Sequence, residues 1–388
     1  MKKIGILTFH RSINYGAFMQ GYSLSRQIKK RFPEAKVEII DYTSAIMENI
    51  YKPHLTLSSL RHPLSTLLKN RQRKKFHQSL KSLPLSQKHI CSDGNTAEVL
   101  SAYQDDYDIF VVGSDAVWNW CKRGFPNPYL INFEKDVVKM SYAASAFGMG
   151  REYVGEREKE YFGHSLQGFS FIGVRDTYTS ELVKEICPSC APTFTCDPTV
   201  FLDIDDVYSE IGLTREAFRE YIYTRFKIPK EKKLIGLMGA PEALIDRLKT
   251  ECGKEYVLVG LYHGTKGADV QIVDINPFEW AAVFGLFDLT ITSYFHGTLL
   301  SLRNNTPVIN VDFGEFSKKY EGKIHDVMRR MDLLECHFND RKAVEKMLEQ
   351  VKTVISKRDE YSEKIKTNLE KLEKSSEVFF EKMEELIK

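Results

Sequence analysis

A chain of 388 residues is long enough for two domains of ordinary size, and 43% hydrophobic residues can build substantial cores. The formal net charge of +2 argues neither for nor against a nucleic-acid partner. No apolar run approaches the roughly 20 residues that span a bilayer. The first strand-like run follows Met1-Lys2-Lys3 too closely for a signal peptide. We therefore expect a cytoplasmic protein.

The cysteines favour reduced thiols over a structural framework. There are seven of them, an odd number without regular spacing. Cys187-Pro-Ser-Cys190 has the spacing of half a zinc site, but no second pair follows it, and Cys196 would add only a third sulfur. We interpret these residues as incidental thiols near a turn.

Strands and helices alternate along the first half of the chain. Apolar, β-branched runs predict strands at 3–10, 37–42, 108–113, 137–146 and 169–174, and helices are predicted at 17–30, 151–163 and 177–186. This alternation predicts a parallel sheet in a Rossmann-like layer. The first loop lacks G-x-G-x-x-G, so a dinucleotide site is not supported.

A second α/β layer follows the polar stretch 203–231. Strands are predicted at 234–238, 256–261, 271–275, 288–293 and 307–311, with helices at 242–251 and 277–287. The tail is charged and helical, with broken heptads that favour packing on its own chain. We expect a first domain at 1–205 on the acceptor side, a second at 206–343 on the donor side and a helical tail at 344–388.

Residues 49–92 form a basic region without Asp or Glu. A basic run is usually a solvated helix face. It is also suited to an anionic acceptor, such as a phosphate-linked glycan, or to a membrane surface. Its cations are Lys52, Arg61, Lys69, Arg71, Arg73, Lys74, Lys75, Lys81 and Lys88.

His296 lies on a predicted strand-to-helix turn, Ser293-Tyr-Phe-His-Gly297. Ligands of open α/β sheets collect at the carboxyl ends of strands, and free N–H groups at a helix start favour anions. Gly297 permits close backbone approach, and a histidine moves protons near neutral pH. We interpret His296 as functional; the alternative is a structural histidine capping the turn.

Polar residues follow three strands of the first half. Arg11, Asn14 and Gly16 come after the first strand, although Asn14 and Gly16 also suit a role in shaping the turn. Arg175 directly follows another strand and is an anion ligand by position; the alternative is a salt bridge with Asp176 or Glu181.

The strand at 108–113 ends in a second group of small and polar residues, which again indicates a ligand site. Asp115 is a candidate base or hydroxyl binder, or else a helix N-cap. Ser114 and Asn119 accompany it as candidate acceptor-binding residues.

Six motifs, in this order, resemble the polysaccharide pyruvyl transferase family. They are Asn14-Tyr-Gly-Ala17, Gly113-Ser-Asp-Ala-Val-Trp-Asn119, Ser141-Tyr-Ala-Ala-Ser145, Val174-Arg-Asp176, Asp197-Pro198 and Thr292-Ser-Tyr-Phe-His-Gly297. The resemblance implies two Rossmann-like domains facing across a cleft, as in GT-B glycosyltransferases. It implies phosphoenolpyruvate as co-substrate, a sugar of a surface or capsular polysaccharide precursor as acceptor, and neither a metal nor a nicotinamide cofactor.

The resemblance also assigns site residues. It implies a donor site with His296 as the catalytic acid or base and Arg175 as an anion ligand, together with Tyr294, Phe295, Gly297 and Thr298. The family has an arginine two residues before this histidine, where this chain has Tyr294. We expect another cation to substitute; Arg11, Arg303, Lys318 and Lys319 are the candidates.

Two other functions remain as alternatives. The first is a GT-B glycosyltransferase that uses a nucleotide sugar, and Tyr294 keeps it open. The second is a catalytically silent glycan-binding or scaffold protein. In each case we expect the partner to be a lipid- or nucleotide-linked glycan and not a nucleic acid. We also expect the protein to act at the inner face of the membrane.

Overall fold

The computed structural model of the protein describes residues 1–45, 48, 63–92, 100–123, 127–132 and 137–388. Within these residues the chain forms two compact units. The first unit takes its residues from 1–54, 80–201 and 373–388, and the second takes them from 55–79 and 202–372. Each unit contains one β-sheet of its own, so the two are described separately.

The first unit contains a parallel sheet. Its strands are β1 Lys3–Leu7, β2 Lys36–Thr43, β3 Leu85–Cys91, β4 Ile109–Val112, β5 Val138–Ala144, β6 Phe171–Val174 and β7 Thr193–Phe194. They are ordered β3-β2-β1-β4-β5-β6-β7, and each neighbouring pair is parallel. Every residue of β4 is buried, as expected for a central strand of a parallel sheet.

The second unit contains another parallel sheet. Its strands are β8 Lys233–Met238, β9 Tyr256–Leu261, β10 Val270–Ile272, β11 Leu289–Thr292, β12 Val308–Val311 and β13 His337–Phe338. Their order is β10-β9-β8-β11-β12-β13, again with parallel neighbours. The strands β8, β9, β11 and β12 are short apolar runs that are almost entirely buried.

Helices connect the strands, as parallel pairing requires. The described helices are α1 Tyr15–Arg31, α2 Pro63–Ser79, α3 Trp120–Arg123, α4 Glu156–Gln167, α5 Thr177–Ile186, α6 Ile204–Ile211, α7 Arg215–Phe226, α8 Glu242–Cys252, α9 Pro277–Val283, α10 Phe295–Arg303, α11 Glu315–Lys319, α12 Lys323–Arg330, α13 Val344–Ser356, α14 Arg358–Lys374 and α15 Glu377–Ile387. Asp176 caps α5 by accepting from Thr179 N, and Asn276 caps α9 in a capping box with Glu279.

The strand order of each sheet reverses at one place. In the first sheet β1 lies between β2 and β4, and in the second β8 lies between β9 and β11. Connections run in opposite directions from such a strand, which opens a crevice at its carboxyl end. The loops after β1 and β4, and those after β8 and β11, are therefore the places where each unit can hold a ligand.

The fold class predicted from the sequence is confirmed: two parallel α/β units of GT-B type, with a helical carboxyl-terminal region. Every predicted strand is present. The sequence did not indicate β3, β7 or β13, because β3 is largely polar and exposed and β7 and β13 have two residues each.

The units differ from the expected division at 1–205, 206–343 and 344–388. The tail is shared, since α13 and α14 belong to the second unit and α15 to the first. The reason is apolar packing of α15. Phe379 is fully buried, with its ring 4.8 Å from that of Tyr142, and Ser376 Oγ accepts a hydrogen bond from Cys196 N.

The basic region 49–92 is described in part, and Lys52 and Arg61 lie outside the described residues. α2 joins the second unit, where Lys75 Nζ lies 3.4 Å from Asp274 Oδ1. Leu67 is 48% exposed on the same helix. No described helix combines the length and hydropathy needed to cross a membrane.

One expectation about cysteines is wrong. Cys187 and Cys190 form a disulfide with a Cα–Cα distance of 5.3 Å. Cys187 is the C-cap of α5, and a turn follows in which Cys190 N donates to Cys187 O. This turn brings the two side chains together, which the spacing alone did not establish.

We predict that Phe379→Ala lowers the free energy of unfolding by about 3–5 kcal/mol, the usual cost of truncating a buried phenylalanine. Val378→Ala is the matched control, because Val378 is the preceding residue and is 40% exposed. Its effect should stay within about 0.5 kcal/mol. Denaturant unfolding followed by circular dichroism measures both, and equal effects would contradict the docking of α15 on the first unit.

Candidate active site

The turn after β11 places His296 at the carboxyl edge of the second sheet. Tyr294 is the N-cap of α10 without a side-chain cap, and its N–H donates to Thr292 Oγ1 at 3.0 Å. His296 is the second residue of α10 and is partly buried. A Cβ on Gly297 would lie 2.5 Å from Thr292 Oγ1, so this tight turn requires a glycine.

A buried hydrogen-bond network supports the turn. Asn310 on β12 donates from Nδ2 to Thr292 O at 3.1 Å and to Thr298 Oγ1 at 2.8 Å. Thr298 donates in turn to Tyr294 O at 3.2 Å. Thr298 is fully buried in this network, so the structure gives this predicted donor-binding residue a supporting role.

His337 extends the network from β13. Burial lowers the pKa of His337 to about 4, so its imidazole is neutral near pH 7. Its Nδ1 lies 3.0 Å from Asn310 Oδ1. Asn310 Nδ2 is the donor in both of these hydrogen bonds, so Oδ1 is the amide oxygen and can only accept. His337 Nδ1 therefore carries the proton and donates to Oδ1.

The loops after β8 and β11 are in contact, as the strand order requires. Gly239 follows β8 with φ of +81°, and a Cβ there would lie 2.1 Å from Ser293 Oγ and 3.2 Å from Tyr294 Cε2. Tyr294 itself is 42% exposed. The ring of Tyr294 therefore lies close to Gly239, in the loop after the strand at which the order of the second sheet reverses.

Lys323, which was not among the expected cations, lies near the turn. It begins α12, and its Nζ lies 4.8 Å from the ring centre of Phe295. Phe295 is buried and directly precedes His296 in the sequence. Of the expected substitutes in this unit, Arg303 is the last residue of α10 and its Nε donates to Leu202 O. Lys318 pairs with Glu315 at 2.7 Å.

Arg175 is enclosed at the carboxyl edge of the first sheet. Its Nη1 donates to Asp197 Oδ2 at 3.1 Å, and its Nη2 lies 3.6 Å from Asp115 Oδ1. Burial disfavours the charge, but Asp115 and Asp197 outweigh it and raise the pKa of Arg175. The neighbouring Asp176, considered from the sequence as a partner of Arg175, instead caps α5 and accepts from Ser145 Oγ.

The loop after β4 contributes Asp115 to this group. Asp115 has φ of +81° and accepts from Ala116 N at 2.8 Å. It caps no helix, since α3 begins only at Trp120. Asn119 is buried and donates to Phe147 O at 3.1 Å, and Ser114 is buried beside them.

The loop after β1 separates its candidates. Asn14 caps α1 by accepting from Gly16 N and Ala17 N at 3.0 and 3.3 Å, and Gly16 is buried in that helix. The turn-shaping role considered for these two residues is the one the structure displays. Arg11 instead forms a bidentate pair with Asp41 on β2, with Nε and Nη2 each 2.5 Å from an oxygen.

The structure therefore brings together Arg175 and Asp115 in the first unit, and His296, Tyr294, Phe295 and Gly297 in the second. Reasoning from the sequence missed the roles of Asp197, Asp41 and Asn310. Asp41 and Asn310 lie within strands, and Asp197 lies three residues after β7. Buried polar groups of this kind require partners. That pattern was the available signal.

A family model described as polysaccharide pyruvyl transferase matches residues 14–314. The fold is similar to that of UDP-GlcNAc 2-epimerase from Neisseria meningitidis bound to UDP-GlcNAc, with a TM-score of 0.60, 10% identity and coverage of 99% of this chain and 100% of that chain. It is also similar to a putative UDP-N-acetylglucosamine 2-epimerase from Listeria monocytogenes, with a TM-score of 0.52, 11% identity and coverage of 94% and 90%. No protein of curated function matches significantly.

At such low identity the solved structures show the fold alone, and the two parallel sheets agree with it. The family model shows more, because residues 14–314 make up most of the chain and include all six motifs. The protein is thus a transferase that belongs to the polysaccharide pyruvyl transferase family.

Proposed function

We propose that the protein transfers the enolpyruvyl unit of phosphoenolpyruvate to a sugar of a surface or capsular polysaccharide precursor, forming a pyruvate ketal. The observation that carries this proposal is the family match over residues 14–314, which includes the turn of His296. The position of that turn at the reversal point of a parallel sheet supports it, because ligands collect there.

The reaction needs an acid and an anion site. A proton adds to the methylene carbon of the enol, which makes the central carbon electrophilic. One sugar hydroxyl adds to that carbon and loses its proton. A second hydroxyl then replaces the phosphate, loses its proton and closes the ketal, so two carbon–oxygen bonds form and the carbon–oxygen bond to the departing phosphate breaks. In the proposal His296 gives or takes these protons.

The charges around the turn suit an anionic donor. The exposed start of α10 offers N–H groups, and Lys323 adds a cation beside Phe295. In the proposal Arg175 binds an anionic group of the donor, while Asp115 and Asn119 orient the acceptor. The reaction requires neither a metal nor a nicotinamide cofactor.

The acceptor in this proposal is a glycan carried on a lipid or a nucleotide, and the protein works in the cytoplasm at the inner face of the membrane. The basic helix α2 supports that placement, since it carries Lys69, Arg71 and Lys74 together with the exposed Leu67. Cations beside an exposed leucine suit an anionic membrane surface.

One observation favours a second candidate, a nucleotide-sugar glycosyltransferase. Tyr294 offers one hydroxyl and a partly exposed ring where the family has an arginine. A ring at this position suits stacking on a base or a sugar. Thermal shift with phosphoenolpyruvate against a panel of nucleotide sugars distinguishes the two donors.

We expect His296→Ala to lower kcat by about 10²-fold or more, because a positioned acid or base is lost. The melting temperature should remain that of the unsubstituted protein. His164→Ala, at an exposed position on α4, is the control and should retain full activity. An unchanged rate in His296→Ala with an intact fold would remove His296 from the mechanism.

Arg175→Ala is expected to weaken phosphoenolpyruvate binding by about 1.5–3 kcal/mol, the worth of a hydrogen bond to a charged group. Calorimetric titration measures it, after circular dichroism has shown that the variant folds. Arg151→Ala is the control, since Arg151 pairs with Glu181 and Glu185 in the same unit. Unchanged donor affinity would leave Arg175 with only its ion pairs to Asp115 and Asp197.

For Tyr294→Arg we predict that affinity for phosphoenolpyruvate stays level or falls. The cation of Lys323 already lies on the neighbouring Phe295, so a second large cation would crowd the turn. Tyr294→Phe tests the hydroxyl separately. A clear gain in phosphoenolpyruvate affinity on Tyr294→Arg would show that the site lacks a cation, because a charged hydrogen bond is roughly twice as strong as a neutral one.

A further inference from the structure

A second cluster of charges lies at the carboxyl ends of β1, β2 and β3, away from Arg175 in the hydrogen-bond network of the first unit. Asp41 is its centre and is 4% exposed. Its Oδ1 lies 2.9 Å from His10 Nε2, 2.5 Å from Arg11 Nε and 3.2 Å from His89 Nδ1. Its Oδ2 lies 2.5 Å from Arg11 Nη2.

His10 lies between two hydrogen-bond acceptors. Its Nδ1 lies 3.1 Å from Thr8 O, and its Nε2 lies 2.9 Å from Asp41 Oδ1. The side chain is fully buried, so these two contacts fix the orientation of the ring.

One carboxylate is thus shared by three groups that carry or can carry positive charge. Burial works against ionisation of Asp41, but hydrogen bonds from Arg11 and His10 outweigh it and hold the pKa of the carboxyl well below its usual range. Glu48 adds a weaker attraction to Arg11. The Asp41 carboxylate thus serves several donors at once.

The guanidinium of Arg11 borders a small pocket. The described residues that line it include this cation, an imidazole, hydroxyl-bearing side chains and aromatic rings, and no carboxylate; they are Phe9, His10, Arg11, Ser12, Tyr42, Thr43, Ser44, Pro128 and Tyr129. Asp41, the partner of Arg11, is not part of this lining. A small pocket with a guanidinium and hydroxyls in its wall suits an oxyanion.

We propose that this pocket binds an oxyanion group, a phosphate or a carboxylate, carried by the acceptor. The pocket is too small for a whole sugar, so the anionic group enters it and the glycan stays outside. That the acceptor carries this anionic group rests on the proposed function, whereas the anion site itself does not. His10 and Asp41 position the guanidinium of Arg11, and Arg11 contacts the anion.

The test is thermal unfolding of the full chain with inorganic phosphate or D-glucuronate, at constant ionic strength. A ligand that binds the folded state raises its melting temperature. We expect Arg11→Gln to weaken the binding of at least one anion by about tenfold or more, as for loss of a charged hydrogen bond. The affinity is read from the anion concentration at which the melting temperature rises. Arg31→Gln is the control, because Arg31 forms a bidentate pair with Glu377 in the same unit.

The two anions identify the group. A response to phosphate alone assigns a phosphate-linked acceptor, and a response to glucuronate alone assigns an acidic sugar. Responses that are equal in Arg11→Gln, Arg31→Gln and the unsubstituted protein would overturn the proposal, as would no response in any of them. Should Arg11→Gln fail to fold, Arg11→Lys keeps one charge without the paired hydrogen bonds and must show an intermediate response.

Phosphate is also a product of the proposed reaction, so binding at the donor site must be separated. The His296→Ala variant should keep the response that depends on Arg11. A protein that binds phosphate through Arg11 but does not bind phosphoenolpyruvate would overturn the proposed function and leave this pocket standing. Binding of phosphoenolpyruvate without any response that depends on Arg11 would overturn the anion pocket and leave the proposed function standing.

Discussion

Parallel pairing of neighbouring strands directs the carboxyl end of each strand to one edge of its sheet. A parallel sheet is usually covered on both faces, and its strands then consist of apolar residues that contribute little chemistry. Polar groups that act on a ligand must therefore come from the loops at the edge. In this protein Arg11, Asp115, Arg175 and His296 all follow strands in this way.

Two clusters of charge at the carboxyl edge of the first sheet are built differently. In the first unit Arg175 is buried and held between Asp115 and Asp197, so opposite charges meet inside the protein. Around Asp41 one carboxylate is shared by Arg11, His10 and His89. A buried charge is costly without a partner, and each cluster offsets that cost with partners from neighbouring strands and loops.

The turn of His296 shows how much structure one functional residue requires. Gly297 permits contact with Thr292, and Asn310 joins the end of β11 to the start of α10. Asn310 is in turn held by His337, which burial keeps neutral. Thr292, Asn310 and His337 come from three different strands and lie far apart in sequence, yet together they hold the turn that carries His296.

The sequence by itself determined the alternation of strands and helices, the parallel sheets and the loops that carry His296 and Arg175, because apolar periodicity and strand ends are local properties. Only the tertiary structure decided the partners. Asp197 pairs with Arg175, Asp41 with Arg11, and α15 with the first unit rather than with the rest of the tail. The physical reason is that a buried charge or an apolar face needs a partner, and the fold supplies that partner from a distant part of the chain. Local sequence patterns do not identify it.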